Sequence, residues 1–279
     1  MDLLAVTLVL LAALLHALWN VLVKQQGDRL LALLAMSLAS GLIASLALPF
    51  VEPLPRPAWP YLLVSAILHA VYKLFLAQGY RHGDLAQVYP VARGAAPLVV
   101  ALLALIVAGE TLGRLQFLAV LLIALAVMSL AFREGIPAGR DAKAIGYALG
   151  TALLIAGYTV VDGLGARAAG APFSFAVQLF VLEAWAFAAL VIPLRGRAAW
   201  PYLRSQWRSG LVSGVFSQSA YVLVIWALTL ADMALVSALR ETSVLFAALL
   251  GTLLLRETLG AWRISCAAVI VLELVLLQG

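Results

Sequence analysis

Charge is scarce in this chain, and so are cysteine and histidine. Lys, Arg, Asp and Glu make up 11% of the 279 residues, where a soluble domain carries about 25%. That deficit excludes an ordinary globular enzyme, a disordered chain and a nucleic-acid-binding protein. The formal net charge of +5 is instead loop charge of the kind that sets orientation in a bilayer. One cysteine, Cys266, allows no disulfide within the chain. With only three histidines beside it, no dedicated metal site is expected, and no other cofactor. A Gly-x-x-x-x-Gly-Lys-Ser/Thr phosphate loop, a His-Glu-x-x-His pair and a Gly-x-Ser-x-Gly elbow are all missing. No ATP hydrolysis is therefore expected, and any pumping would draw on a gradient.

Apolar residues fill the space, at 65% of the chain. A bilayer-crossing helix needs about 20 of them in a row. Turn chemistry divides the sequence into ten such segments, at 3–23, 30–51, 58–80, 85–108, 113–132, 144–165, 172–194, 209–229, 232–255 and 260–277. These runs are too long and too continuously apolar for barrel strands, so an all-α integral membrane protein is expected. Met1-Asp2-Leu3-Leu4 has no basic start and the first run lacks a small-residue cleavage site, which reads as a retained span. The break at 133–143 holds Gly135, Pro137 and Gly139 and splits the spans five and five.

The two halves echo each other. Gly109-Glu110-Thr111-Leu112-Gly113 returns as Arg256-Glu257-Thr258-Leu259-Gly260, 147 residues later, and the same offset carries Arg93 onto Arg240. A weaker echo sets Leu14 to Asn20 against Leu153 to Thr159. Two similar five-span halves joined directly must lie upside down relative to one another. That is the inverted-repeat plan of many secondary transporters, with the site between the halves near the midplane. The expected units are thus a first repeat over 1–132, a linker at 133–143 and a second repeat over 144–279. Loop Lys and Arg fall twelve against three, with Arg56, Arg114 and Arg167 on the poorer side. By that count both termini lie outside the cytoplasm.

Polar side chains inside spans are costly and face a bundle interior or a water-filled cavity. Here they concentrate on spans 1, 3 and 4 and on their counterparts 6, 8 and 9. Candidate substrate contacts are Trp19, Asn20, Tyr72, Lys73, Tyr89, Arg93, Tyr158, Gln218, Tyr221 and Arg240. Candidates for ion pairing or proton coupling are His16, His69, Asp162, Glu183 and Glu241. Each has a plainer reading. Arg93 and Arg240 suit structural pairs with Glu183 or Glu241, and Lys73 suits either a cavity or a pair. The tyrosines and Trp19 serve packing as readily as a path, His16 and His69 suit hydrogen bonds to neighbouring helices, and Glu183 suits an arginine partner. Lys24 is expected to snorkel to the interface. Spans 2, 5, 7 and 10 are expected to form an outer layer, with Gln178 and Glu183 exceptional in span 7. Pro90 and Pro97 bracket Arg93-Gly94, which predicts a kinked or interrupted span 4; span 9 has no proline to match. Gly146-x-x-x-Gly150 and Gly210-x-x-x-Gly214 predict close helix approach.

Leu15-His16-Ala17-Leu18-Trp19-Asn20-Val21-Leu22-Val23-Lys24 resembles the EamA branch of the drug/metabolite transporter superfamily. So does Gly83-Asp84-Leu85-Ala86-Gln87-Val88-Tyr89-Pro90-Val91-Ala92-Arg93-Gly94-Ala95-Ala96-Pro97, followed by Gly109-Glu110. The resemblance covers the whole chain and implies ten helices in two inverted repeats around a central cavity. It also implies a location in the bacterial cytoplasmic membrane. Its usual topology, with both termini in the cytoplasm, opposes the charge count. The second half departs from the motif, with Ser237-Ala238-Leu239 before Arg240.

A non-enzymatic secondary transporter or exporter of small polar metabolites is thus expected, with amino acids or other carboxylates as cargo. It would work by alternating access as a monomer or homodimer among membrane lipid. A flippase of the same fold acting on a lipid-linked substrate is the alternative. A membrane-embedded lipid-modifying enzyme fits less well, because the ionisable groups are scattered singly over several helices, and a non-transporting structural subunit would have no solvent-filled cavity.

Overall fold

A computed structural model describes residues 1–24, 27–83, 85–132 and 142–255. The last expected span, 260–277, and nearly all of the linker at 133–143 lie outside the described residues, as does the second copy of the Glu-Thr-Leu-Gly motif at 257–260. No strand occurs among the described residues. The helices are α1 Leu3–Lys24, α2 Arg29–Ala47, α3 Trp59–His82, α4 Leu85–Leu103, α5 Arg114–Ser129, α6 Ala142–Ala169, α7 Pro172–Arg195, α8 Ala199–Leu230, α9 Met233–Arg240 and α10 Ser243–Leu255.

Their ends follow local chemistry. Asp28 caps α2, its carboxylate accepting from the Leu30 and Leu31 amides at 3.1 and 3.2 Å. Pro172 opens α7, where a missing N–H is harmless. A π-helical turn at Ala104–Ala108 follows α4 and stops at Gly109, whose φ of +68° only glycine adopts at little cost. Before Gln206, whose φ of −105° and ψ of 15° leave helical geometry, α8 makes two extra turns that were expected to be loop. Trp200 on this stretch and Trp207 just past Gln206 are exposed, as suits an interfacial segment.

Six continuous stretches among the described residues are long and apolar enough to cross a bilayer; the last, Pro172–Leu230, contains both α7 and α8. The full set of ten spans is therefore not established by these helices: α5 is shorter, and the expected span 9 is two helices. The lipid-facing surface carries side chains such as Phe50, Leu42, Ile67, Ile106, Leu153 and Trp185, all exposed, while ionisable groups are buried within. This inside-out distribution marks an integral membrane protein.

Packing pairs the two halves as a two-fold operation would. α3 lies along α6 as α8 lies along α1, and α2 packs on α8 as α7 packs on α3. α4 meets α6 as α9 and α10 meet α1, while α2–α7 and α4–α9 join counterparts directly. The expected outer layer therefore needs correction, since α2 and α7 lie against each other between the halves. Glycine permits that approach. A Cβ on Gly41 would stand 2.3 Å from the Ala184 Cβ, and one on Gly214 2.9 Å from the Ala39 Cβ. Gly210 and Gly150 are similarly tight, but Gly146 faces open space, so only half of its motif is a packing feature.

The interruption expected in span 4 falls elsewhere. α4 runs as one helix through both Pro90 and Pro97. Span 9, without a proline, breaks instead at Glu241-Thr242. There the Val244 and Leu245 amides turn back to the Glu241 and Thr242 carbonyls at 3.0 and 2.9 Å. Those short-range bonds strip the Arg240 carbonyl of its helical donor, and α9 ends at that residue.

Candidate functional site

The break in span 9 and the crossing of α4 place Arg93 beside its repeat partner. Arg93 Nη2 donates to the Arg240 carbonyl at 3.4 Å, refilling the acceptor that the break exposes. Irregular backbone survives at membrane depth only with such a replacement. The same guanidinium donates through Nε to Glu241 Oε2 at 3.1 Å and through Nη2 to Ser243 Oγ at 3.4 Å. Arg93 and Glu241 are 5% and 2% exposed. Each would be very costly to bury without the other.

A second pair lies across α3 and α7. Lys73 Nζ donates to Glu183 Oε1 and, at 2.6 Å, to Ser37 Oγ of α2. Glu183, expected to choose an arginine, takes this lysine because α3 and α7 are direct neighbours. The third cluster centres on Asp162 of α6, which is fully buried. Ser65 donates to its Oδ1, Tyr221 donates to its Oδ2, and His69 Nε2 lies 3.0 Å from the same Oδ2. His69 also stacks on Tyr158, with ring centroids 4.0 Å apart and planes 26° from parallel.

Arg240 differs from Arg93. Its guanidinium carbon lies 5.5 Å from the Tyr221 ring centroid, a cation–π contact. Among the described residues no carboxylate lies within ion-pair distance of it, although it is 5% exposed. A cavity opens beside it, with a volume of about 50 Å³, room for a few waters. Its wall joins both halves: His16 and Trp19 from α1, His69, Tyr72 and Lys73 from α3, Arg93 from α4, Tyr158 from α6, Glu183 from α7, Tyr221 from α8 and Arg240 from α9.

Ten of the fifteen residues singled out in the sequence thus share one chamber. Asp162 and Glu241 sit directly behind it, bonded to residues that line it. Three expected contacts do not reach it. Asn20 turns its Nδ2 back to the His16 carbonyl at 2.8 Å. Tyr89 points its hydroxyl at His16 Nε2, 3.5 Å away. Gln218, one turn before Tyr221 on α8, buries its Oε1 with no hydrogen-bond partner among the described residues. The side chains of Lys24 and Gln87 lie outside what the structure describes. Sequence reasoning missed Ser37, Ser65 and Ser217, and the apolar wall of Leu179 and Phe180. Only Ser65 carried a signal, being one helical turn before His69 on the same face.

At one end of the bundle Glu110 ties the halves together. Its Oε1 accepts from Arg167 Nη1 at 2.7 Å and its Oε2 from the Met233 amide at 2.8 Å, at the start of α9. Arg167 also donates to the Leu228 and Ala231 carbonyls at the end of α8. One ion pair therefore caps two helix termini.

No curated protein matches this sequence. A solved crystal structure, titled only as that of a protein, superposes with a TM-score of 0.76 at 21% identity, covering 98% of this chain and 96% of its own. At that identity the likeness speaks for the fold alone. The sequence model described as the EamA-like transporter family matches twice, over residues 3–132 and 142–278. Nearly the whole chain is thus accounted for by two copies of that repeat, and the protein belongs to the EamA-like transporter family of the drug/metabolite transporter superfamily.

Proposed function

We propose that this membrane transporter is a secondary carrier of small polar metabolites, with carboxylates, amino acids among them, as its cargo class. Ten spans would form two inverted repeats, 1–132 and 144–279, joined by the 133–143 linker and rocking about the chamber to expose it alternately to each side. The observation that carries the reading is the state of Arg240. Lys73 and Arg93 each hold a buried carboxylate, so their charge is already answered. Arg240 faces the chamber with none among the described residues. A buried cation without a counter-ion is unfavourable in hydrocarbon, and an incoming carboxylate relieves it through paired, charge-assisted hydrogen bonds. Tyr72, Tyr158, Tyr221 and Trp19 offer ring faces to the rest of the molecule.

The test is uptake of a panel of radiolabelled amino acids and simple carboxylates into proteoliposomes. The wild-type protein is expected to move at least one of them, and Arg240→Gln to reduce its transport at least tenfold with an unchanged melting temperature. Transport of no carboxylate, or full transport by Arg240→Gln, overturns the reading.

A further inference from the structure

The charges around the chamber leave one acid unaccounted for. Glu183 faces Lys73, and Glu241 faces Arg93. Asp162 has neither a lysine nor an arginine within ion-pair distance among the described residues. Its one ionisable partner is His69, the side-chain type whose charge ordinarily changes near neutrality. The other groups turned toward this region are Tyr158 on its own helix, Tyr72 on α3, Tyr221 on α8, His16 on α1 and Arg240 on α9. The tyrosines are neutral donors, and Tyr221 touches both Arg240, through its ring, and Asp162, through its hydroxyl.

We propose that Asp162 is the coupling site for a proton, taken up on Oδ2 and carried in the same direction as an anion at Arg240. This rests on the carrier reading above. With the His69 proton on Nε2, the geometry is that of the unprotonated acid, an acceptor-only carboxylate gathering hydrogen bonds from Ser65, Tyr221 and His69. Two of those partners share Oδ2. A proton arriving there from chamber water forms the O–H bond and displaces the Tyr221 hydroxyl, which has Arg240 above its ring. Protonation does two things at once: it removes a negative charge from the neighbourhood of the anion site and frees a hydroxyl beside it. Both favour the anion, and by linkage a bound anion favours the proton equally. The sign of coupling is therefore symport.

Two measurements test this on the purified full chain. Infrared difference spectra between alkaline and acidic buffer, without any substrate, are expected to show a protonated-carboxyl band that Asp162→Asn removes. Should Asp162→Asn fail to fold, Tyr221→Phe keeps the acid but takes a donor from its ionised form, so the band should appear at higher pH. A band that survives Asp162→Asn, or does not move in Tyr221→Phe, overturns the proposal. Calorimetric titration with benzoate, a carboxylate bearing one ring, should give affinity that rises at least tenfold on acidification in the wild type and not in Asp162→Asn. Affinity that falls or stays level on acidification overturns the symport sign. No benzoate binding at any pH counts against the carboxylate site at Arg240, while the infrared result still decides Asp162.

Discussion

Arg93 and Arg240 are the same position in two repeats, yet their surroundings give them opposite consequences on substitution. Removing Arg93 leaves Glu241 buried without its counter-ion, at a cost of about 3–5 kcal/mol. Arg93→Gln is therefore expected to lower the melting temperature and the amount of protein in the membrane. The double change Arg93→Met with Glu241→Met should recover the part of that loss owed to the uncompensated carboxylate, but not the part owed to the bond Arg93 makes to the Arg240 carbonyl. The same comparison applies to Lys73→Met against Lys73→Met with Glu183→Met, read by thermal denaturation in detergent. Recovery in neither double variant would show that these pairs do more than neutralise each other. The sequence singles out these residues because ionisable groups are rare in apolar spans. It did not reveal which acid meets which base, since partner choice depends on helix adjacency: Glu183 meets a lysine because α3 and α7 touch. Serines gave little warning. A serine within a helix ordinarily bonds its own backbone, as Ser213 does, so nothing in the sequence separates it from Ser37, which reaches Lys73.

Among the helices, glycine position decides how closely α2 meets its neighbours. Gly214→Leu should separate α8 from α2 and lower the melting temperature, because its Cβ already meets Ala39 and the Met36 carbonyl, 3.1 Å away. Gly146→Ala, into open space, should be neutral or stabilising by up to about 1 kcal/mol. Equal effects would mean that the α2–α8 seam yields easily. Periodicity and length locate most of the described helices, but the prolines do not locate the break. Proline is the visible cause of a broken helix, and α4 accommodates both of its prolines. The break in span 9 arises from a tertiary cause: Arg93 offers a donor for the Arg240 carbonyl from another helix. No local residue pattern encodes that.

For the whole molecule, two questions are open to direct measurement. By the Lys and Arg count the α7–α8 turn is expected in the cytoplasm. A cysteine at Arg197, on a Cys266→Ser background, should then react with an impermeant maleimide in intact cells only after permeabilisation. Labelling of intact cells would favour the family's usual orientation instead. Glu110 and Arg167 join the repeats at one end. A disulfide between Glu110→Cys and Arg167→Cys should stop transport, and reduction should restore it, if the halves part there during the cycle.

The size of the hollow has a kinetic corollary. A ring-bearing acid is bulkier than the few waters that about 50 Å³ holds, so it enters only as helices swing apart. Turnover would then be governed by how readily the surrounding lipid lets the bundle flex, not by diffusion to the mouth. Flux should fall steeply on cooling, and more sharply still where the acyl chains freeze.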